Sequence, residues 1–288
     1  MRDKQYFSVR TGKHPTNGRL DIKGMNRLFL SVYNQLCFDG FFQEAFGYDC
    51  IDAGRIYGFA GRDIESFFFR KLRKQGLWPI VERLDDYSED DLFDVIELLH
   101  DCVSKGVEGR NHSWGDCGWH YDTFDKQSGQ EKFRLMLNEI LSDFGPGYRL
   151  TNNGEIVTLP PEGLDDLDEA PDPPGDQEAV QARIRNARDK FRRRGSTFFE
   201  RRDAVRDLSD VLEYLRPQAK KVLHSKDEDD LFNLANNFGI RHHTKAQKTD
   251  YDPEIWLSWA YYYYLATIHA VTRLIERVEQ TPSDQRQL

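Results

Sequence analysis

The sequence predicts a mainly α-helical protein of two helical domains, the first of which ends in a small β-hairpin. Three observations lead to this fold class. Apolar residues recur at intervals of three and four, one segment has the composition of a hairpin, and a proline-rich acidic stretch separates two helical parts. We therefore expect an N-terminal domain at residues 1–159, a linker at residues 160–178 and a C-terminal domain at residues 179–288.

The N-terminal domain is predicted to contain helices at residues 25–37, 63–73, 88–100 and 130–144. Two of them begin with Asp63 or Ser88, whose side-chain oxygens can accept hydrogen bonds from the free N–H groups of a first helical turn. The hairpin is predicted at YRLTNNGEIVTL, residues 148–159, where Asn153-Gly154 separates two short apolar runs.

The stretch between the domains contains five prolines, eight acidic residues and no basic residue. Prolines prevent a continuous helix and carboxylates repel one another, so we expect a solvated linker. The alternative is a long loop that wraps around one larger domain.

The C-terminal domain is predicted to contain helices at residues 177–194, 197–224, 226–238 and 252–278. Pro217 is expected to kink or interrupt the second helix, and Ser225 and Asp252 are expected to cap the third and fourth. The last helix is apolar on most sides, so we expect it at the centre of the bundle.

Composition excludes several classes of protein. The 288 residues include 40 Lys and Arg against 49 Asp and Glu, which argues against a general nucleic-acid coat or a polybasic membrane binder. No apolar run approaches the length of a transmembrane helix, and four cysteines do not make a disulfide scaffold, so we expect a cytoplasmic protein. Phosphate-loop, dinucleotide-binding, nucleophile-elbow and HExxH motifs are absent, and no cofactor is predicted.

The most concentrated polar chemistry lies at residues 236–245, NNFGIRHHTK, before the last predicted helix. Arg241 is a permanent cation that suits a phosphate, and His242 and His243 titrate near neutral pH. Metal-free RNA cleavage needs such groups, because the 2′-hydroxyl must lose a proton, the 5′-oxygen must gain one, and the charged phosphorane must be stabilised. The alternative is a helix C-terminus whose cations complement the helix dipole.

The segments ERRDAVRDLSDVLEYLRP, DLFNLANNFGIRHHTKAQKTDYD and IWLSWAYYYYLATIHAVTRLIER resemble a HEPN-type four-helix domain. The segments LWPI, DLFDVIELLHDCVSK, HYDTFD and GYRLTNNGEIVTL are similar to the N-terminal domains of abortive-infection AbiJ-like proteins. The resemblance implies a bacterial antiviral defence effector that acts as a metal-independent endoribonuclease and forms a homodimer through its C-terminal domain. The N-terminal domain would then sense a trigger or bind a protein partner.

The same resemblance assigns roles to the polar cluster. Arg241 would hold the scissile phosphate, His242 or His243 would act as general acid or base, and Asn237 would position the ribose or order the loop. The family pattern has a further His downstream, where this chain has Lys-Ala-Gln at residues 245–247. The alternative is therefore a non-catalytic HEPN-like module that binds RNA, a nucleotide or a partner protein.

Ten Arg and Lys residues lie between residues 181 and 206, with only three acidic residues among them. Clustered arginines suit RNA phosphates. The candidate RNA-binding residues in this run and after the polar cluster are Arg192, Arg193, Arg194, Arg201, Arg202, Lys245 and Lys248. The alternative is a solvated helix whose charges pair with the acidic linker, and the two are compatible if the linker masks the basic residues until activation.

A Gly- and Trp-rich segment, residues 106–125, contains potential metal ligands. Together with the preceding helix it offers the donors His100, Cys102, His112, Cys117 and His120. Zinc prefers such nitrogen and sulfur ligands, but their spacing matches no standard zinc finger. The segment is alternatively an aromatic recognition loop built on Trp114, Trp119, Tyr121 and Phe124, or a packed connection, and no metal is assigned.

Overall fold

The computed structural model describes residues 7–11, 19–160, 164, 167, 178–224, 231 and 252–280. These residues are mostly helical, as predicted, and the chain divides into two compact units, unit 1 (Met1–Leu159) and unit 2 (Pro160–Leu288). Within the described residues, none of the helices combines the length and hydropathy that crossing a membrane requires.

The helices of unit 1 begin where the sequence supplies capping side chains. Asp21, Asp63 and Asp125 each accept a hydrogen bond from the backbone N–H three residues later, at 2.8–3.1 Å. Ser88 and Asp91 form a reciprocal capping box. The described helices are α1 (Phe7–Arg10), α2 (Ile22–Phe38), α3 (Gln43–Phe46), α4 (Ile64–Leu72), α5 (Ile80–Arg83), α6 (Glu89–Cys102) and α7 (Lys126–Leu141).

The predicted helices at residues 25–37, 63–73 and 88–100 are confirmed to within a few residues by α2, α4 and α6. The helix predicted at residues 130–144 is shifted, because α7 starts at its Asp125 cap and ends at Leu141. A polar first turn does not show in an apolar pattern, and this is why the predicted start is too late.

Short strands form four separate antiparallel pairs in the described part of unit 1, namely β1–β2, β3–β6, β4–β5 and β7–β8. The strands are β1 (Tyr48–Cys50), β2 (Gly54–Ile56), β3 (Lys105–Gly106), β4 (Gly109–His112), β5 (Gly118–Tyr121), β6 (Phe124–Asp125), β7 (Tyr148–Leu150) and β8 (Ile156–Thr158). The predicted hairpin is confirmed as β7–β8, in which Tyr148 pairs with Thr158 across the Asn153-Gly154 turn. The sequence does not predict the other three pairs, since strands of two to four residues are too short to show an alternating pattern.

Helices α2, α4, α6 and α7 enclose the hydrophobic core of unit 1. Phe29, Phe68, Ile96, Leu99 and Phe133 are completely buried in it. Each such side chain contributes about 1.5–3 kcal/mol by its removal from water. The helices therefore form the stable frame to which the short strand pairs are attached.

Unit 2 is built on three long helices in its described part, α8 (Glu178–Arg192), α9 (Phe198–Val222) and α10 (Pro253–Gln280). Thr197 and Glu200 form a capping box for α9, and Asp252 accepts the first hydrogen bonds of α10. Pro217 does not interrupt α9, because the helix continues past this residue to Val222, and the predicted kink stays a prediction. Pro217 is exposed, so water can solvate the carbonyl group that it leaves without a helical partner. The helix predicted at residues 226–238 lies outside the described residues, except for Leu231.

The core of unit 2 lies between these helices. Leu208 of α9 and Tyr261, Tyr264 and Ile268 of α10 are completely buried, which is consistent with the central position predicted for the last helix. The ring of Phe191 stacks on Tyr261 with 3.9 Å between centroids. Two residues of the predicted linker, Leu164 and Leu167, are partly buried against this core, so at these points the segment packs on unit 2.

The β7–β8 turn depends on Gly154, which has a φ of +84°. A Cβ atom at this position would lie 2.5 Å from Nδ1 of the buried His100. Gly61, with a φ of +85°, has no atom within 4 Å of its Cβ position and is a matched control. We expect Gly61→Ala to lower the free energy of unfolding by about 1–2 kcal/mol through backbone strain. Gly154→Ala should cost about 1–3 kcal/mol more through overpacking.

Urea denaturation of both variants, followed by far-UV circular dichroism, measures this difference. Equal losses in the two variants would mean that the His100 contact does not restrict the turn.

Candidate functional site

Most residues assigned to RNA cleavage or binding by the sequence lie outside the described residues. They are Asn237, Arg241, His242, His243, Lys245 and Lys248. Their positions in the chain place them in the connection between α9 and α10, two helices of one core. Leu231, earlier in this connection, is partly buried against the same core.

The described arginines differ in their access to solvent. Arg192 is only 9% exposed, so it is a buried residue of α8 and not the surface contact for RNA that its basic neighbours suggest. Arg193 is exposed, and Arg194, Arg201 and Arg202 are half-buried. The basic surface open to a phosphate is therefore smaller than the sequence indicates.

Part of the positive charge of α8 is neutralised by α9. Lys190 Nζ lies 2.8 Å from Asp207 Oδ2, and Arg183 Nη1 lies 3.8 Å from Asp210 Oδ2. The sequence offers the acidic linker as the alternative partner, but these described ion pairs join two helices of unit 2. Arg201 packs over the ring of Phe191, with 5.9 Å from Cζ to the centroid.

Unit 1 brings two cysteines and two histidines together. One potential ligand atom from each of Cys50, His112, Cys117 and His120 lies within 4.8 Å of the other three. Cys50 is buried and the other three side chains are half-buried. We refer to these four residues as the Cys/His cluster.

Two of the five donors found in the sequence do not belong to the cluster. His100 is buried beside Phe133, and its Nε2 lies 3.3 Å from Nη1 of Arg134. Burial, followed by the charge of Arg134, lowers the pKa of His100 and favours the neutral ring. Cys102 is buried in the core of unit 1, and this burial raises the pKa of its thiol to about 12.

Two β-hairpins position the Cys/His cluster. Cys50 is the last residue of β1, whereas His112 ends β4, His120 lies on β5, and Cys117 lies in the turn between those strands. Arg110 is opposite His120 in the register of the β4–β5 pair. Because side chains alternate along a strand, His112 is on the same face as Arg110 and thus on the face of His120.

Neighbouring polar groups orient part of the cluster. Nε2 of His112 lies 3.1 Å from Oδ2 of Asp52, and Nδ1 of the same ring lies 3.6 Å from Sγ of Cys50. The backbone N–H of Ile51 donates to Sγ of Cys117 at 3.3 Å. One nitrogen of His112 thus faces a carboxylate while the other faces a sulfur atom of the cluster.

The second imidazole of the cluster has a buried nitrogen without a partner. The ring of His120 stacks on Tyr48 with 4.3 Å between centroids, and its Nε2 atom has no hydrogen-bond partner. Desolvation, followed by the neighbouring His112, lowers the pKa of His120. Both effects favour the neutral form of the ring, in which one of the two nitrogens carries a lone pair.

The segment that carries most of the cluster has no hydrophobic core of its own. None of the described side chains at residues 105–124 is buried, and Trp114 and Trp119 are 70% and 50% exposed. Gln43 of α3 supports the segment with two hydrogen bonds, donating to the carbonyl oxygen of Trp119 at 2.7 Å and accepting from the N–H of Tyr121 at 3.2 Å. Polar contacts and the Cys/His cluster therefore hold this segment.

A groove with a volume of about 1220 Å³ lies beside the cluster in unit 1. Cys117 and Trp119 line one part of it, and Tyr48 lines another. The rings of Trp119 and Tyr121 stack with 6.0 Å between centroids and an angle of 9° between planes. The groove is large enough for a small ligand, and both aromatic rings and polar groups line it.

Comparison of the chain with known protein families, curated proteins and solved structures gives no match. The resemblance to HEPN-type and AbiJ-like domains stays a prediction from the segments quoted above.

Sequence reasoning finds three of the four cluster residues and misses Cys50. It lies 62 residues before His112, among apolar residues that suggest a core position. One signal near Cys50 does indicate a turn and not a core position. Asp52 and Gly54 follow Cys50, and this composition is typical of turns.

The substitution Gln43→Glu tests whether the two hydrogen bonds of Gln43 support the segment. In Gln43→Glu, the carboxylate can still accept from Tyr121 but has no proton to donate to the carbonyl group of Trp119. We expect the free energy of unfolding to fall by about 1–3 kcal/mol, measured by urea denaturation, together with a change in tryptophan emission. Gln127→Glu is the matched control, because an acidic residue is favourable at this exposed position in the first turn of α7. The same unfolding midpoint in both variants would contradict a supporting role for Gln43.

Proposed function

We propose that the protein is a bacterial antiviral effector of the abortive-infection type, whose unit 2 cleaves RNA without a metal ion. Arg241 holds the scissile phosphate, His242 or His243 transfers protons, and Asn237 positions the ribose. Two copies of unit 2 join in a homodimer. The proposed reaction rests on the resemblance of residues 200–277 to HEPN-type domains. The described surface of α10 supports the binding of RNA by unit 2.

The observation that carries the proposal is a row of aromatic side chains at the start of α10. Trp256 and Trp259 are 4.9 Å apart between ring centroids, and Trp259 stacks on Tyr263 at 5.4 Å. Trp259 is 38% exposed. Unpaired bases of any type stack on exposed rings such as that of Trp259, with about 1–3 kcal/mol per base. The row starts three residues after Pro253, which itself follows His243 by ten residues.

A second set of groups on unit 2 also suits single-stranded RNA. Phe199 at the start of α9 is 71% exposed and contacts the ring of Phe198 at 5.8 Å. The exposed Arg193 and the half-buried Arg202 lie close to them in the chain. Proteins that bind single strands without sequence preference combine cations with exposed aromatic rings in this way.

The motif itself favours a second candidate function. Residues 245–247 are Lys-Ala-Gln where the family pattern has a His, and a glutamine side chain does not exchange protons near neutral pH. Unit 2 would then bind RNA, a nucleotide or a partner protein without turnover.

One assay separates the two candidates. The purified full-length protein is incubated with tRNA and total RNA in the presence of EDTA. We expect cleavage by the natural sequence and a loss of about 10²–10⁴-fold in the Arg241→Ala/His242→Ala variant, because the phosphate cation and a proton-transfer group are both removed. Arg27→Ala/His224→Ala is the matched control, since it removes the same residue types at exposed positions outside the basic run and should cleave normally.

Circular dichroism checks that all three proteins have the same helical content. Retention of RNA without cleavage supports the binding module. A protein that neither retains nor cleaves RNA would contradict the nuclease and would limit the binding module to a nucleotide or a partner protein.

A further inference from the structure

We propose that Cys50, His112, Cys117 and His120 bind one zinc ion, which fastens the segment at residues 105–124 to the β1–β2 hairpin. This site lies in unit 1 and is independent of the RNA chemistry proposed for unit 2.

The donor set fits zinc in both number and type. Two sulfur and two imidazole donors match the tetrahedral Cys₂His₂ coordination of structural zinc sites, whereas magnesium and calcium prefer oxygen ligands. Four protein ligands fill the tetrahedron and leave no position for a water molecule or a substrate. The site is therefore a structural one.

The spacing of the donors also fits. Zinc–sulfur and zinc–nitrogen bonds of normal length place tetrahedral ligand atoms about 3.3–3.8 Å apart. The distance from Sγ of Cys50 to Nδ1 of His112 is 3.6 Å, and all four donors lie within 4.8 Å of one another. Binding therefore needs shifts of about 1 Å or less in side chains that already face one another.

The surrounding groups are those that support zinc ligands. Asp52 accepts from Nε2 of His112, which leaves Nδ1 of that ring free for the metal and reproduces a carboxylate–histidine–metal arrangement. The N–H of Ile51 donates to Sγ of Cys117, a contact that would support this sulfur atom as a zinc ligand. The unpartnered Nε2 of His120 is a buried polar atom that a metal ion would satisfy.

A cross-link at this place would stabilise the segment at residues 105–124. None of the described side chains at residues 105–124 is buried, so apolar contacts alone do not hold the segment. The zinc ion joins three ligands from the segment to Cys50 of β1 and supplies the free energy that a core would otherwise provide. Cys117 and Trp119 line the groove of unit 1, so the ion also fixes part of the groove wall.

Metal analysis of the full-length protein tests the proposal. Protein purified under reducing conditions is supplied with Zn²⁺, freed of excess metal by gel filtration and measured by mass spectrometry. We expect one zinc ion per chain, and we expect Cys50→Ser and Cys117→Ser to lose it. Cys37→Ser is the matched control, because Cys37 is exposed and outside the cluster. Cobalt substitution should give a tetrahedral spectrum with thiolate charge transfer.

A variant that keeps all four ligands distinguishes a loss of zinc affinity from misfolding. Asp52→Asn removes only the carboxylate behind His112, so we expect zinc affinity to fall about 10–100-fold, measured by competition with a chelator, while helical content is unchanged. An unchanged affinity would overturn the assigned supporting role of Asp52.

Three results would overturn the site itself. They are a reduced protein that takes up no zinc, cluster variants that hold as much zinc as Cys37→Ser, or a disulfide between Cys50 and Cys117 under the same conditions. The Arg241→Ala/His242→Ala variant should keep its zinc, so failure of the RNA proposal is distinguishable from failure of this one.

Discussion

The segment at residues 105–124 is held in place without a buried side chain among its described residues, and the contacts of the β1–β2 hairpin meet this constraint. The ring of Tyr48 supports His120, Asp52 supports His112, and the backbone of Ile51 supports Cys117. All three supporting residues flank Cys50 in the chain. The groove of unit 1 depends on the same contacts, because Cys117 and Trp119 form part of its wall.

The longer helices of both units could be predicted from the sequence because their signals are local, whereas the four-residue helices α1, α3 and α5 are too short to show a periodic pattern. Asp63, Ser88 and Asp252 satisfy free N–H groups within their own first turns, and apolar spacing then gives the direction of the buried face. The hairpin at Asn153-Gly154 could also be predicted, since two adjacent residues define its turn. The start of α7 is predicted too late because its first turn is polar and Asp125 is the local signal that marks it.

The Cys/His cluster could not be predicted in full because it is not local. His112, Cys117 and His120 fall on one hairpin and are visible as close neighbours, but Cys50 reaches them only through the folded arrangement of a second hairpin. The strands concerned are three or four residues long, too short for a periodic pattern. Conversely, His100 and Cys102 are near these donors in the sequence, yet they end a helix whose buried face belongs to the core.

The two proposals assign different chemistry to the two units and are compatible for a definite reason. A zinc ion with four protein ligands has no open coordination position, so it cannot polarise a phosphate or activate water. Cleavage by an Arg and a His, in contrast, needs only a fixed cation and proton transfer. Zinc bound to unit 1 therefore neither supports nor contradicts a metal-free reaction in unit 2. If EDTA does slow RNA cleavage, the zinc content of the same sample decides between a metal-dependent reaction and the loss of a structural ion.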